Sequence, residues 1–101
     1  MKPVLLAITV LTDGHRAQIA QSFELLYAPE PAQAFGAIAR HGARVQAVLT
    51  IGSIGLSAAQ MDALPQLQLV CALGAGYENI NLAHARGCGI ALANGAGTND
   101  D

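Results

Sequence analysis

Five short apolar runs recur along this chain, each separated from the next by a segment long enough for a helix and a return. This spacing constrains the fold more than any other feature. Val4–Val10 is continuously apolar apart from Thr9, as expected of a central parallel strand covered on both faces. Phe23–Tyr27, Val45–Thr50, Leu67–Leu73 and Gly89–Ala93 complete the set. Between them, Leu11–Gly14 reads as a turn before a short helix marked by Ala17, Ile19 and Ala20. Pro29 and Pro31 precede a helix carrying Ala32, Phe35, Ile38 and Ala39 on one stripe, which stops near His41-Gly42. Ser57 and Gln60 form the Ser-x-x-Gln capping box of a third helix that Pro65 ends. Asn81 caps a fourth over Leu82–Arg86, with Gly87 as its stop.

The pattern is βαβαβαβαβ, and crossovers of this length predict parallel pairing with right-handed connections. The fold class is α/β, a doubly wound five-stranded sheet. Without a dinucleotide fingerprint, the flavodoxin-like order 2-1-3-4-5 is favoured over half of a Rossmann sheet. Ligands are then expected beyond the carboxyl ends of strands 1, 3 and 4, where Leu11–Gly14, Ile51–Gly55 and Gly74–Tyr77 converge. In Gly74-Ala75-Gly76 two glycines flank a small residue, so backbone N–H groups can approach an anion closely. Gly52 and Ser53 on the neighbouring loop add further N–H donors and one hydroxyl for a small carboxylate or phosphate. A glycine after a parallel strand often serves only the turn. Two such loops at adjacent strand ends raise the binding reading to even terms with the structural one.

Other chemistries find less support. The net charge of −2 and the absence of any Lys/Arg cluster argue against nucleic-acid binding. No segment reaches the roughly 20 apolar residues of a membrane span, so a soluble protein is expected. Cys71 and Cys88 lack CxxC spacing and read as reduced cytoplasmic thiols. His15, His41 and His84 share no metal-ligand spacing and read as surface or capping residues, so no metal site is expected. Asp13 reads as a helix cap, and His84 with Arg86 as partners of a helix C-terminus. Ser53 has no partner base in sequence. Asn79 stands where a third glycine would complete a dinucleotide turn, and no Walker lysine follows.

The run Leu69-Val70-Cys71-Ala72-Leu73-Gly74-Ala75-Gly76-Tyr77-Glu78-Asn79-Ile80-Asn81, followed by Ala85-Arg86-Gly87-Cys88-Gly89-Ile90-Ala91-Leu92-Ala93-Asn94, strongly resembles the D-isomer-specific 2-hydroxyacid dehydrogenases. Within them it looks most like the glyoxylate/hydroxypyruvate reductases. The specific match spans about Leu67 to Asp101, and the preceding residues match in pattern, including Thr50–Leu56. The resemblance implies that residues 1–101 are part of the substrate-binding domain, with the NAD(P)-binding Rossmann domain, the catalytic residues and the last covering helix outside this chain. It implies that Ala75 and Gly76 donate backbone N–H bonds to the substrate carboxylate. It further implies that Gly52 and Ser53 line the same pocket, and that Asn99 lies where the chain crosses toward the cofactor. Glu78 and Asn81 stand where many members carry Asp, and Gly95-Ala96-Gly97 replaces a stretch that often contains Pro.

The implied parent reaction is NAD(P)H-dependent reduction of a small 2-oxo acid such as glyoxylate or hydroxypyruvate. The isolated chain is expected to be inert and to pair as a homodimer through its uncovered face, by element exchange as one route. The alternative is a stand-alone flavodoxin-like structural or interaction module with no ligand. A receiver domain would need Asp where strand 3 ends in Thr50, and a flavin module more aromatics near the site than Tyr77.

Overall fold

The computed structural model describes residues 2–51, 53–73 and 79–94. Its five strands are β1 (Val4–Ala7), β2 (Glu24–Tyr27), β3 (Val45–Ile51), β4 (Leu69–Leu73) and β5 (Ala91–Asn94). They form one parallel sheet in the order β2-β1-β3-β4-β5. The flavodoxin-like reading therefore holds. The connecting helices are α1 (Asp13–Ser22), α2 (Pro31–His41), α3 (Ala58–Asp62) and α4 (Leu82–Gly87). No described helix is long and apolar enough to cross a membrane.

Handedness distributes the helices. The chain steps outward from β1 to β2 and then in the opposite direction for every later crossover, so right-handed connections put α1 on one face and the other three helices on the other. The side chains agree. Val4, Leu6, Ile8, Val45, Val48, Val70 and Ala72 pack with Ala34 of α2, Met61 of α3 and Ala85 of α4. Leu5, Ala7, Ala47 and Leu49 pack instead with Ile19 of α1 and with Phe23. A bulge at Gln46 skips one residue of the β1–β3 register, which is why Val45 shares its face with Val48 rather than with Ala47.

The two faces are unequally covered. Along β4, Val70 and Ala72 are fully buried while the alternate Leu69, Cys71 and Leu73 are only half-buried. Those three lie on the face that, among the described helices, carries α1 alone, and no α1 side chain is buried. Partial burial there still pushes the Cys71 thiol above its ordinary range by desolvation.

Several local boundaries differ from the sequence reading, each for a visible reason. Strand β1 ends at Ala7, with Ile8 adding one more bond to the Leu49 carbonyl at 3.0 Å. Val10 is 74% exposed because the chain has already turned toward α1, and the Tyr27 hydroxyl accepts from the Leu11 N–H at 3.0 Å. Thr12, rather than Asp13, caps α1 by accepting from the His15 N–H, and Asp13 pairs with Arg16 one turn on. Helix α3 closes at Asp62 by tightened bonds from the Ala63 N–H, before Pro65 is reached. Helix α4 runs through Gly87, and the residue with the left-handed backbone beyond its end is Gly89, at φ 74°. The caps at Ser57–Gln60 and Asn81 form as their spacing predicts.

Leu6 lies fully buried at the centre of the larger core. Leu6→Ala is expected to lower stability by about 2–5 kcal/mol through lost transfer energy and a residual cavity, read as a shifted urea midpoint at unchanged m-value.

Candidate functional site

The carboxyl end of β3 leads into a tight turn. The N–H groups of Ile54 and Gly55 both bond to the Ile51 carbonyl, at 3.1 and 2.7 Å. The Thr50 hydroxyl, completely buried, donates to the Gly55 carbonyl at 3.0 Å and holds the turn from beneath. Gly55 has φ 69°, and a Cβ placed there would overlap the Asn79 backbone. Only glycine suits both conditions.

That contact with Asn79 ties two loops into one unit. The Leu56 N–H donates to the Asn79 carbonyl at 3.1 Å, the Asn81 N–H returns to the Leu56 carbonyl at 3.2 Å, and Leu56 and Ile80 form a parallel bridge. The Asn79 side chain then donates from Nδ2 to the Ser53 carbonyl at 2.9 Å. The loop after β3 is thus bonded to the returning stem of the loop after β4. Gly55 and Asn79 escaped the sequence reading as site-building residues. The paired glycines of Ile51–Gly55 were the available signal for the first, and nothing local marks the second.

Of the residues singled out from sequence, Ser53 is described: it is exposed and lines a cleft of about 380 Å³ with Ile8, Pro29, Phe35, Ile54 and Gln60. Gly52, Ala75, Gly76 and Asn99 lie outside the described residues. Among the described residues, the lining of the cleft is mostly apolar and contains no charged side chain. Ser53 and Gln60 supply its polar side chains, and Gln60 Oε1 already accepts from the Ser57 N–H at 2.9 Å. Such a lining can bind and orient a small ligand but offers no acid or base. A somewhat larger depression of about 440 Å³ runs between β2 and α2 past Gln33, Gly36 and Arg40, with no lining residue among the described residues of the loops after β3 and β4.

The family model for the D-isomer-specific 2-hydroxyacid dehydrogenase catalytic domain matches residues 7–101. The chain belongs to the D-isomer-specific 2-hydroxyacid dehydrogenases. A 2-hydroxyacid dehydrogenase of Ketogulonicigenium vulgare superposes with a TM-score of 0.81 at 29% identity, over 93% of this chain and 30% of that one. Two further dehydrogenases share the fold. An NADPH-dependent glyoxylate/hydroxypyruvate reductase of Sinorhizobium meliloti, solved with NADP and malonate, gives 0.76 at 22% identity over 93% and 28% of the two chains. A glyoxylate reductase of Paecilomyces thermophila gives 0.74 at 21% over 92% and 32%. This chain therefore spans about 30% of the length of the dehydrogenases it superposes on. Among curated protein sequences, none matches significantly.

Membership over this stretch makes the paired-loop unit part of a dehydrogenase domain, and the unit hinges on Gly55. Gly55→Ala is expected to destabilise the fold by more than about 1 kcal/mol through its left-handed φ alone, with the overlap on Asn79 adding to that. Chemical denaturation measures the loss, and amide exchange at Leu56 and Asn81 should accelerate with it.

Proposed function

We propose that this chain supplies the substrate-carboxylate cradle of an NAD(P)-dependent D-2-hydroxyacid dehydrogenase that reduces a small 2-oxo acid such as glyoxylate or hydroxypyruvate. The observation that carries the reading is the bonding of the Ser53 loop to the Asn79 stem, in a chain whose family is that of these enzymes. In this reading the backbone N–H groups of Gly52, Ser53, Ala75 and Gly76 hold the carboxylate. The substrate carbonyl is thereby oriented outward, and binding energy goes into alignment.

The described residues offer little that would favour a dinucleotide. Each helix N-terminus that follows the two loops has one amide taken by its own cap, the Gln60 N–H by the Ser57 hydroxyl at 3.1 Å and the His84 N–H by Asn81 Oδ1 at 3.0 Å. Among the described residues, no charged side chain lines the cleft beside Ser53. A pyrophosphate finds no cation among the described residues of that cleft. This supports a reading in which NAD(P), the hydride donor of the proposed reaction, sits on a separate Rossmann domain, with Asn99 on the segment leading toward it. The choice between NAD and NADP falls in that domain as well. The 101-residue chain alone binds the acid without turning it over.

Titration of the ¹⁵N-labelled chain with malonate or glyoxylate is expected to shift the Ser53, Ala75 and Gly76 amides together, while NAD(P)H absorbance with glyoxylate stays flat. Unmoved amides would favour the reading as an interaction module without a ligand, and measurable turnover would overturn the division of labour.

The half-covered face bearing Leu69, Cys71 and Leu73 supports a homodimer in which a second copy packs on that face. The free thiols Cys71 and Cys88 support a cytoplasmic, reducing environment. Sedimentation velocity over a concentration series should show the dimer, weakened when Leu73 is replaced by Lys. A monomer at high micromolar concentration would remove it.

A further inference from the structure

Helices α3 and α4 pack side by side, and their facing side chains bring Asp62, His84 and Cys88 to one spot on the surface. Asp62 Oδ1 lies 2.7 Å from His84 Nε2, and Cys88 Sγ lies 3.7 Å from the same nitrogen. All three ligand atoms fall within 4.8 Å of one another. We infer that Asp62, His84 and Cys88 form a binding site for a thiophilic divalent cation of the zinc class, with water completing a tetrahedron.

The spacing of His84 and Cys88 is close to what such an ion requires. Zn–N of about 2.05 Å and Zn–S of about 2.3 Å at a tetrahedral angle set N and S roughly 3.5 Å apart, near the separation found. The Asp62–His84 hydrogen bond has to open to roughly 3.3 Å, as it does when the ion replaces the proton between the two atoms. One thiolate and one carboxylate balance the dication, and the thiol proton passes to solvent on binding. A thiolate with an imidazole favours zinc or cobalt over magnesium or calcium.

The backbone holds the ligands in place. Met61 and Ala85, the neighbours of Asp62 and His84, are buried in the larger core and lock the two helices against it. The His84 N–H is bonded to the Asn81 cap, and the Cys88 N–H to the His84 carbonyl at 3.0 Å. His84 and Cys88 are four apart, so both project from one side of the helix end. Asp62 is exposed and His84 and Cys88 are at least partly so, which leaves the ion an entry path. The candidate acid-binding residue Ser53 takes no part, so the site stands or falls independently of the proposed reaction.

Cobalt(II) added to the reduced protein is the direct test. One equivalent should produce a thiolate-to-cobalt charge-transfer band and the intense visible absorption of a four-coordinate ion, both bleached by zinc. Cys88→Ser should abolish the charge-transfer band, and Asp62→Asn and His84→Gln should each weaken binding by about tenfold or more. Cys71→Ala should leave the band intact, because Cys71 lies on the sheet face away from these helices. Zinc should raise the melting temperature of the unaltered protein and not that of Cys88→Ser, whose circular dichroism verifies that it folds. A spectrum of hydrated cobalt alone, or a band that survives in Cys88→Ser and vanishes in Cys71→Ala, would overturn the site.

Discussion

Two-sided burial of β3 is the constraint from which the rest of the structure follows. This strand pairs with β1 on one side and β4 on the other, and Val45, Ala47, Val48, Leu49 and Thr50 are all buried. A parallel strand in that position needs helices over both faces, and right-handed crossovers leave one way to supply them. The turn at its carboxyl end inherits the same burial. Thr50 is the polar residue admitted there, and its hydroxyl donates to the Gly55 carbonyl.

The binding unit is a consequence of that packing. Because β4 lies beside β3, the loops that leave their carboxyl ends share a border. The Leu56–Ile80 bridge and the Asn79–Ser53 bond close that border with ordinary backbone chemistry. The cost is a strict requirement at Gly55, where the approach of Asn79 leaves no space for a side chain. The same neighbourhood one crossover further on sets α3 against α4 and gathers Asp62, His84 and Cys88.

Much of this was legible along the chain because the signals are local. The five apolar runs, the capping box of Ser57 and Gln60 and the Asn81 cap depend on residues close together in the chain; both caps form as read, and each run yields a strand with its ends shifted by up to three residues. Local signals failed where two candidates compete within a turn. Gly87 and Gly89 both suit a helix end by composition, yet only Gly89 takes positive φ. Thr12 and Asp13 both suit a cap, and the hydroxyl of Thr12 has the better line to the His15 N–H while Asp13 finds Arg16. His84 reads from its own helix as a partner of the dipole, because Asp62 is twenty-two residues away.

By itself, then, the sequence determined the element order, the parallel sheet and the family, since periodicity, spacing and caps act over short distances and the right-handed crossover rule turns them into one topology. Only the tertiary structure decided which loops share a border, which glycine is irreplaceable, how unequally the two sheet faces are covered, and that an acid, an imidazole and a thiol from two helices meet. Those properties depend on the distance between elements remote in the chain, and that distance exists only once the sheet has brought β3, β4 and their helices together.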